Sequence, residues 1–476
     1  MSTFLRKNPN FSKNTFHGTG ETIAAISTPF GESGIGIVRM SGPCAESIIR
    51  QIFRPRNDQS SFISHRFHHG EIIDPSNGRS VDEVLLVLMR APKTYTREDI
   101  VEIHCHGGYL VLQKVLELAL VQGARMAQPG EFTKRAFLNG RIDLTQAEAV
   151  IDLIKARTKE GIDIANQQLR GWLNKEMVFL KERLINHLSL IEAHIDFPEE
   201  EIEAIPQSQM KQDLIDKVQK LEEWVSTYEE GRVFREGISC AIIGKTNVGK
   251  SSLLNVLLKQ ERAIVTPIPG TTRDIIEEVL NIHGIPVRLI DTAGLRKARD
   301  FIEKEGVARA KERAANADLI LLILDGSREL NEDDLEIFFE IKEKKKVVIV
   351  NKKDLPQKIS LEELRNRFPM EQPVSISALK NEGIEELKKT IYATLIHREV
   401  RISPEHLIVA NIRHKMLLSQ IKESLSNAVK GFEEEVSFEF IALEIRSALD
   451  SLGEMVGETT NEEVLSRIFN QFCIGK

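Results

Sequence analysis

Gly244-Lys245-Thr246-Asn247-Val248-Gly249-Lys250-Ser251 follows the apolar stretch Ser239 to Ile243 and runs directly into Ser252-Leu253-Leu254, so a strand, a glycine-rich loop and a helix succeed one another. The spacing G-x-x-x-x-G-K-S is that of a phosphate-binding loop. Backbone N–H groups at a helix N-terminus cradle phosphate oxygens, the Lys250 ammonium reaches the outer phosphates, and the Ser251 hydroxyl is suited to ligate Mg²⁺. The stretch therefore predicts a P-loop domain that binds a nucleoside triphosphate.

Four further elements follow in the order such a domain needs. Gly270-Thr271-Thr272-Arg273-Asp274 supplies a switch threonine, Asp291-Thr292-Ala293-Gly294 ends the apolar run Val287 to Ile290, and Asn351-Lys352-Lys353-Asp354 ends the run Val347 to Val350. Ser377-Ala378-Leu379-Lys380 closes the series. The Asp354 carboxylate is placed to accept from the N1–H and exocyclic amine of guanine, a donor pair that adenine lacks, with Asn351 and Lys352 supporting base and loop. The nucleotide is thus read as GTP. Asp291 fits a role in holding Mg²⁺ through water, and the Gly294 amide is suited to sensing the terminal phosphate.

An omission matters as well. The common small GTPases place a glutamine after the D-x-x-G element to orient the attacking water, and here that position is Leu295. Hydrolysis needs another device. Glu303, in the charged stretch Arg296 to Lys304, is one candidate, although by spacing alone a solvated charge on a helix is the favoured reading. Asn247, inside the loop, is another, through a side-chain oxygen able to ligate a cation.

With 476 residues the chain is long enough for about three domains. No segment approaches the ~20 uncharged apolar residues of a membrane span, and Met1 to Gly20 has no apolar core like that of a signal peptide. A cytoplasmic protein with no membrane partner is expected. Cys44, Cys105, Cys240 and Cys473 lie far apart, as reduced thiols do. The net charge of -7 argues against bulk electrostatic wrapping of nucleic acid and leaves room for a local RNA site.

Three textures run along the chain. Thr22 to about Arg135 reads as short strands and turns with two amphipathic helices, including the extended segment Ile100 to His106 before Gly107-Gly108. Leu144 to Ile195 turns helical, with Leu173, Met177, Leu180, Leu184, Leu188, Ile191 and Ile195 at three- and four-residue steps up to Pro198. Helical spacing resumes after the GTPase module with Leu417, Ile421, Leu425 and Ala428, then Ile441, Ile445, Ala448 and Leu452, and a last helix opens on the capping box Thr460-Asn461-Glu462-Glu463. Stripes on both sides of the module are most simply satisfied by packing on each other. The GTPase domain would then be inserted in a discontinuous helical domain; two separate bundles are the alternative.

Features of the first texture have plainer readings. Gly31, Gly34 and Gly36 resemble a phosphate cradle, but a strand-like Ile37-Val38-Arg39 follows, so a tight turn is expected. His104 and His106 share a strand face with Glu102 while Cys105 points the other way, too sparse a set for a metal centre. By spacing alone Arg39, Glu102 and Arg141 are scattered surface charges. The end of the chain, Phe472-Cys473-Ile474-Gly475-Lys476, is either a frayed tail or a functional thiol with a cationic tether for an anionic ligand.

Taken together, the segments Ile23 to Pro29, Gly36 to Gly42, Val101 to Gly108, Pro129 to Arg141, the five GTPase elements and the terminal Cys-Ile-Gly-Lys resemble the MnmE (TrmE) family of tRNA-modification GTPases, from about Thr22 to Lys476. The resemblance implies an α/β and α+β multidomain protein. It would have a mobile tail over 1–20, an α+β tetrahydrofolate-binding and dimerisation domain over 21–138, an all-α domain in two parts over 139–233 and 396–476, and a Ras-like GTPase domain over 234–395. It also implies a homodimer, K⁺-dependent hydrolysis, an MnmG (GidA)-type FAD protein as partner, and tRNA as substrate. Carried over by motif position, Gly244, Asn247, Val248, Gly249, Lys250, Ser251 and Ser252 would bind GTP with Thr266, Thr271, Thr272, Asp291, Thr292, Ala293, Gly294, Asn351, Lys352, Asp354, Ser377 and Ala378. Ser251 and Thr272 would hold Mg²⁺, and Asn247, Thr266, Ile268 and Thr271 would hold K⁺. Glu303 would orient water, with Lys250 and Thr272 as the other catalytic groups. Arg39, Glu102, Arg141 and Lys476 would contact a 5-formyl- or 5,10-methylene-tetrahydrofolate, with Arg141 standing where the family often has lysine. Cys473 matches the family's terminal thiol. The expected reaction adds an aminomethyl or carboxymethylaminomethyl group to C5 of a wobble uridine. A ribosome-assembly RNA switch and a folate-dependent methyl-transfer enzyme are the rivals.

Overall fold

The computed structural model describes residues 20–29, 31–56, 61–197, 207–261, 279–290, 317–360, 362, 364, 367–368, 373–396 and 407–476. In chain order the strands are β1 Ile23–Ile26, β2 Ser33–Ser41, β3 Phe53–Pro55, β4 Phe67–Ile73, β5 Ser80–Met89, β6 Ile100–Gly107, β7 Arg125–Met126, β8 Ile238–Ile243, β9 Val279–Ile282, β10 Ile285–Leu289, β11 Leu319–Asp325, β12 Lys346–Asn351 and β13 Val374–Ser375. The helices are α1 Ala45–Ile52, α2 Tyr109–Val121, α3 Glu131–Leu138, α4 Leu144–Lys155, α5 Lys159–Leu169, α6 Trp172–Asp196, α7 Gln207–Ser226, α8 Tyr228–Glu236, α9 Lys250–Glu261, α10 Glu332–Glu340, α11 Ile384–Leu395, α12 Ile412–Glu433, α13 Phe438–Val456 and α14 Glu462–Phe469. They fall into two compact units. One takes the described residues up to Ile151 with Val456–Lys476, and the other takes those from Asp152 to Met455.

The first unit is built on a seven-stranded sheet in the order β3-β4-β5-β6-β2-β1-β7. Along β5, Val84, Leu86 and Leu88 are buried while Glu83 and Leu85 face outward, the period-two pattern of a strand covered on one side. The covering layer is α1, through Ala45, Ile48, Ile49 and Ile52, and α2, through Leu112, Val115 and Ala119. Antiparallel pairing of β2 with β6 sets Arg39 directly across from Glu102. A second, smaller cluster joins Ile23 and Ala25 of β1 to Ala127 and Phe132, with Tyr95 at its edge. Truncating the fully buried Phe132 to alanine would cost about 3–5 kcal/mol by the usual core penalty. A third cluster packs Leu144, Ala147 and Ile151 of α4 on Leu465, Ile468 and Phe469 of α14 and on Phe472 beyond it.

The second unit contains a six-stranded sheet in the order β13-β12-β11-β8-β10-β9, parallel except for the β9–β10 hairpin at one edge. Both faces are covered, so β11 reads Leu-Ile-Leu-Leu-Ile-Leu with every residue buried. Leu319, Leu321 and Ile323 pack on the α9 and α11 side, and Ile320, Leu322 and Leu324 on the α10 side. In the helical part α7 lies along α12, although the whole sheet intervenes between them in the chain. Their stripes include Leu214 and Leu221 on one and Leu417, Ile421, Leu425 and Ala428 on the other.

Several local expectations change. The first unit has a third helix there, α3, starting after Gly130 in a left-handed conformation, and α2 carries apolar residues on its outer face as well, with Leu110 and Val121 exposed. The helical stretch after Leu144 is three helices, interrupted before Thr158, which caps α5, and at Gly171. His187 rather than Leu188 is the buried member of the α6 stripe, held by a 2.7 Å bond from Nε2 to Asp213. The cap of α14 is Asn461 rather than Thr460, its side chain accepting from Glu463 N at 2.7 Å. Gly34 and Gly36, expected with Gly31 in a tight turn, lie instead within β2, whose pairing with β6 shifts register between Ser33 and Gly36. Among the described residues no helix is long and apolar enough to cross a membrane.

Candidate functional site

The loop from Gly244 to Lys250 leaves the carboxyl end of β8 and enters α9. Asn247 takes a positive φ of 60° and is exposed, whereas Val248 is buried and anchors the loop. Gly249 has φ 104°, and a Cβ there would strike the Asn351 side-chain nitrogen, so only glycine lets the two loops approach this closely. Asn351 uses that proximity. Its Nδ2 donates to Val248 O at 2.8 Å and its Oδ1 accepts from Ala378 N at 3.0 Å, so one buried amide joins the phosphate loop, the end of β12 and the loop after β13. Lys250 Nζ donates to Gly244 O at 2.7 Å and to Lys245 O, along the inner rim of the loop. Lys245 reaches the start of α10, contacting Asn331 and pairing with Asp334 at 2.7 Å.

Asp354 accepts from Ser377 Oγ at 2.6 Å, and that hydroxyl accepts in turn from Lys380 N at 3.1 Å. The Ser377 hydroxyl holds the Asp354 carboxyl below its usual range, so it is an anionic acceptor at neutral pH. Lys352, at φ 67°, extends to Asp325, its Nζ 2.5 Å from Oδ2. Burial pushes the Asp325 carboxyl up, but bonds from Lys352 and Ser327 outweigh it and the carboxyl lies below its usual range. Asp325 went unnoticed in the sequence. Its only signal is that it ends the apolar run of β11 just as Asp291 ends that of the Val287 segment. Ser251 and Ser252 lie exposed at the first turn of α9. Thr266, Ile268, Thr271, Thr272, Asp291, Thr292, Ala293, Gly294 and Glu303, together with the tail over 1–19, lie outside the described residues.

The other assembly belongs to the first unit. Arg39 makes a forked pair with Glu102, Nε and Nη2 each 2.8 Å from Oε1, and its Nη1 donates to Gly475 O at 3.3 Å. The guanidinium sits 5.7 Å from the ring centre of Phe132. Burial and the nearby Arg39 lower the Lys476 ammonium below its usual range, while Glu102 and Cys473 act in the opposite sense. Arg39 and Glu102 therefore meet beside the chain end that carries Lys476. Arg141 instead stacks 4.7 Å from the Tyr95 ring centre and donates to Tyr95 O at 3.2 Å, at the edge of the cluster that contains Phe132. His104 and His106 separate on the sheet surface: His104 Nε2 is 3.6 Å from Glu102, and His106 Nδ1 is 2.6 Å from Asp82, which raises the His106 imidazole above its usual value. No group of three or more metal-ligating side chains occurs among the described residues. Cys105 and Cys240 are buried, each thiol pushed up to about 12, whereas Cys44 and Cys473 are exposed.

Known proteins resemble this chain over nearly its whole length. The family pattern described as "GTP-binding protein TrmE N-terminus" matches residues 22–141, and that described as "MnmE helical domain" matches 144–473. A protein of Geobacter sulfurreducens named tRNA modification GTPase MnmE is 48% identical over 456 residues, 96% of this chain and 99% of its own length. Namesakes from Thermoanaerobacter pseudethanolicus and Natranaerobius thermophilus are 48% and 44% identical over 458 residues each, again 96% of this chain. With both patterns matched in sequence order and this identity sustained over nearly all of its length, the chain belongs to the MnmE (TrmE) family of tRNA modification GTPases.

Proposed function

We propose that this GTP hydrolase acts as a homodimer with an MnmG (GidA)-type FAD protein. Together they add an aminomethyl or carboxymethylaminomethyl group to C5 of the wobble uridine of certain tRNAs, taking the one-carbon unit from a bound 5-formyl- or 5,10-methylene-tetrahydrofolate. The observation that carries the folate part is the Arg39 and Glu102 pair beside the chain end, where Arg39 also bonds Gly475 O next to Lys476. A guanidinium and a carboxylate side by side match the alternating acceptors and donors on the edge of a pterin. Residues 21–138 would hold the folate and dimerise, 139–233 with 396–476 would form the helical domain, and 234–395 the GTPase domain.

GTP would lie over the Gly249 and Asn351 contact, its base against Asp354 and Lys352 and its phosphates within the loop closed by Lys250. The missing glutamine at Leu295 calls for a substitute, which this reading finds in K⁺ held by Asn247 with Thr266, Ile268 and Thr271 and in Glu303 orienting water. A monovalent cation beside the phosphates supplies the charge neutralisation that an arginine finger provides elsewhere, worth about 10³ to 10⁵ in rate. Mg²⁺ would be held by Ser251 and Thr272. Hydrolysis forms no carbon–carbon bond, so its role is to move the paired GTPase domains and organise the complex.

The test pairs nucleoside analysis with kinetics. Transfer RNA from cells lacking the protein should lose the C5 wobble modification and regain it with the wild-type gene; intact tRNA beside a defective ribosomal subunit would instead favour an RNA-binding switch. Hydrolysis by the purified protein should be much faster in KCl than in NaCl and should lose that preference in Asn247→Ala, whereas equal rates in both salts would exclude the cation.

A further inference from the structure

The chain's last residues are held at two points. Phe472 is buried in the α4 and α14 cluster, and Gly475 is buried against β1 with its carbonyl accepting from Ser27 Oγ at 3.2 Å and Arg39 Nη1 at 3.3 Å. Between these anchors only Cys473 and Ile474 are exposed, and the Cys473 carbonyl is itself tied to Gly130 N at 3.5 Å. Gly475 has φ 95°, and a Cβ on it would overlap the Ile26 carbonyl and stand 2.9 Å from Ser27 Cα. The tail thus lies flat on the end of β1, where any side chain at position 475 would lift it.

We propose that this is a two-point latch in which Ser27 is a positioning residue, holding Gly475 so that the Cys473 thiol and Lys476 ammonium are presented at a fixed place beside the Arg39 and Glu102 pair. Ser27 touches no reacting atom in this scheme and acts only through the tail. The placement of a ligand there deepens the folate reading above and rests on it, but the latch itself does not. Arg39 joins the two: it bonds Gly475 and Glu102 at once, so a ligand that fixes Arg39 in this orientation also favours the latched tail, and binding and latching support each other reciprocally.

The experiment is site-resolved alkylation of the full-length protein by iodoacetamide, with Cys44, the other exposed thiol, as internal reference. Removing the Ser27 hydroxyl in Ser27→Ala should raise the Cys473 rate severalfold and leave the Cys44 rate unchanged. Ser27→Thr, which keeps a hydroxyl, should restore the wild-type ratio, and Gly475→Ala should exceed Ser27→Ala. An unchanged Cys473-to-Cys44 ratio in Ser27→Ala, with normal thermal unfolding, overturns the latch. Added 5-formyltetrahydrofolate should slow Cys473 alkylation in the wild type. If Ser27→Ala accelerates the reaction but the folate does not slow it, the latch stands and the folate reading falls.

Discussion

If the tail assembly holds a folate as proposed, the nucleotide loop and that assembly solve a similar problem with opposite materials. In the first, backbone does most of the work: the groups that would meet phosphate come from consecutive residues at the start of α9, and one buried amide, Asn351, ties that loop to its neighbours. In the second, the Arg39 side chain of β2 and the Ser27 hydroxyl just after β1 meet a chain end 436 and 448 positions away, with Glu102 of β6 paired to Arg39. A backbone site tolerates side-chain change except where a Cβ intrudes. A side-chain site is sensitive to the loss of any one charged partner.

That contrast is broken most forcefully at Gly249. Alanine there would have to adopt φ 104° and push aside the Asn351 amide, so both the loop and its bracing would be lost at once. Strain of ~1–3 kcal/mol and the broken bonds together should weaken GTP binding by about a hundredfold or more. Titration with a fluorescent GTP analogue measures it, and an affinity within a fewfold of wild type would show that the loop is not braced as described.

The same contrast explains what could be read in advance. The phosphate loop, the strand ends at Asn351 and the loop at Ser377 are local patterns, because backbone geometry forces particular residues at particular spacings. Burial stripes such as Leu417, Ile421, Leu425 and Ala428 were legible for the same reason. By spacing alone Arg39, Glu102 and Arg141 were scattered charges and Lys476 was either part of a frayed tail or a cationic tether, and only resemblance to a family joined them, since nothing local records a contact closed by tertiary folding. Asp325 and Ser27 escaped both routes. One is a single acid at the end of an apolar run and the other a single hydroxyl after β1, and each gains meaning only from its partner. The cap of α14 shifted by one residue because Thr460 and Asn461 are both good cap residues, and the choice falls to how the chain enters the helix.

In the side-chain site the charge itself is less informative than its shape. Arg39→Lys keeps the cation but cannot maintain the forked pair with Glu102 and the bond to Gly475 together. We expect about a tenfold loss of affinity for 5-formyltetrahydrofolate, equivalent to ~1.4 kcal/mol, in titration calorimetry. An unchanged affinity would mean that a point charge suffices there and that this site is no more geometry-dependent than a simple ionic tether.

The smallest effect is expected where a side chain supports the backbone-built site from behind. Asp325 holds Lys352 and Ser327, and Asp325→Asn keeps the shape while removing the charge, so GTP affinity should fall only a fewfold. Its signature is instead in pH. The folded carboxyl lies below its ordinary value of about 3.9 because Lys352 and Ser327 outweigh burial, so folding is favoured by its ionisation. That contribution is fully present above the unfolded value and fades as pH falls through the lower folded one. The difference in unfolding temperature between wild type and Asp325→Asn should therefore be constant from pH 7 to about 5 and shrink below about 4. A difference that persists undiminished at pH 3 would assign the stabilisation to packing, and would make Asp325 a filler behind the loop rather than the charge that aims Lys352.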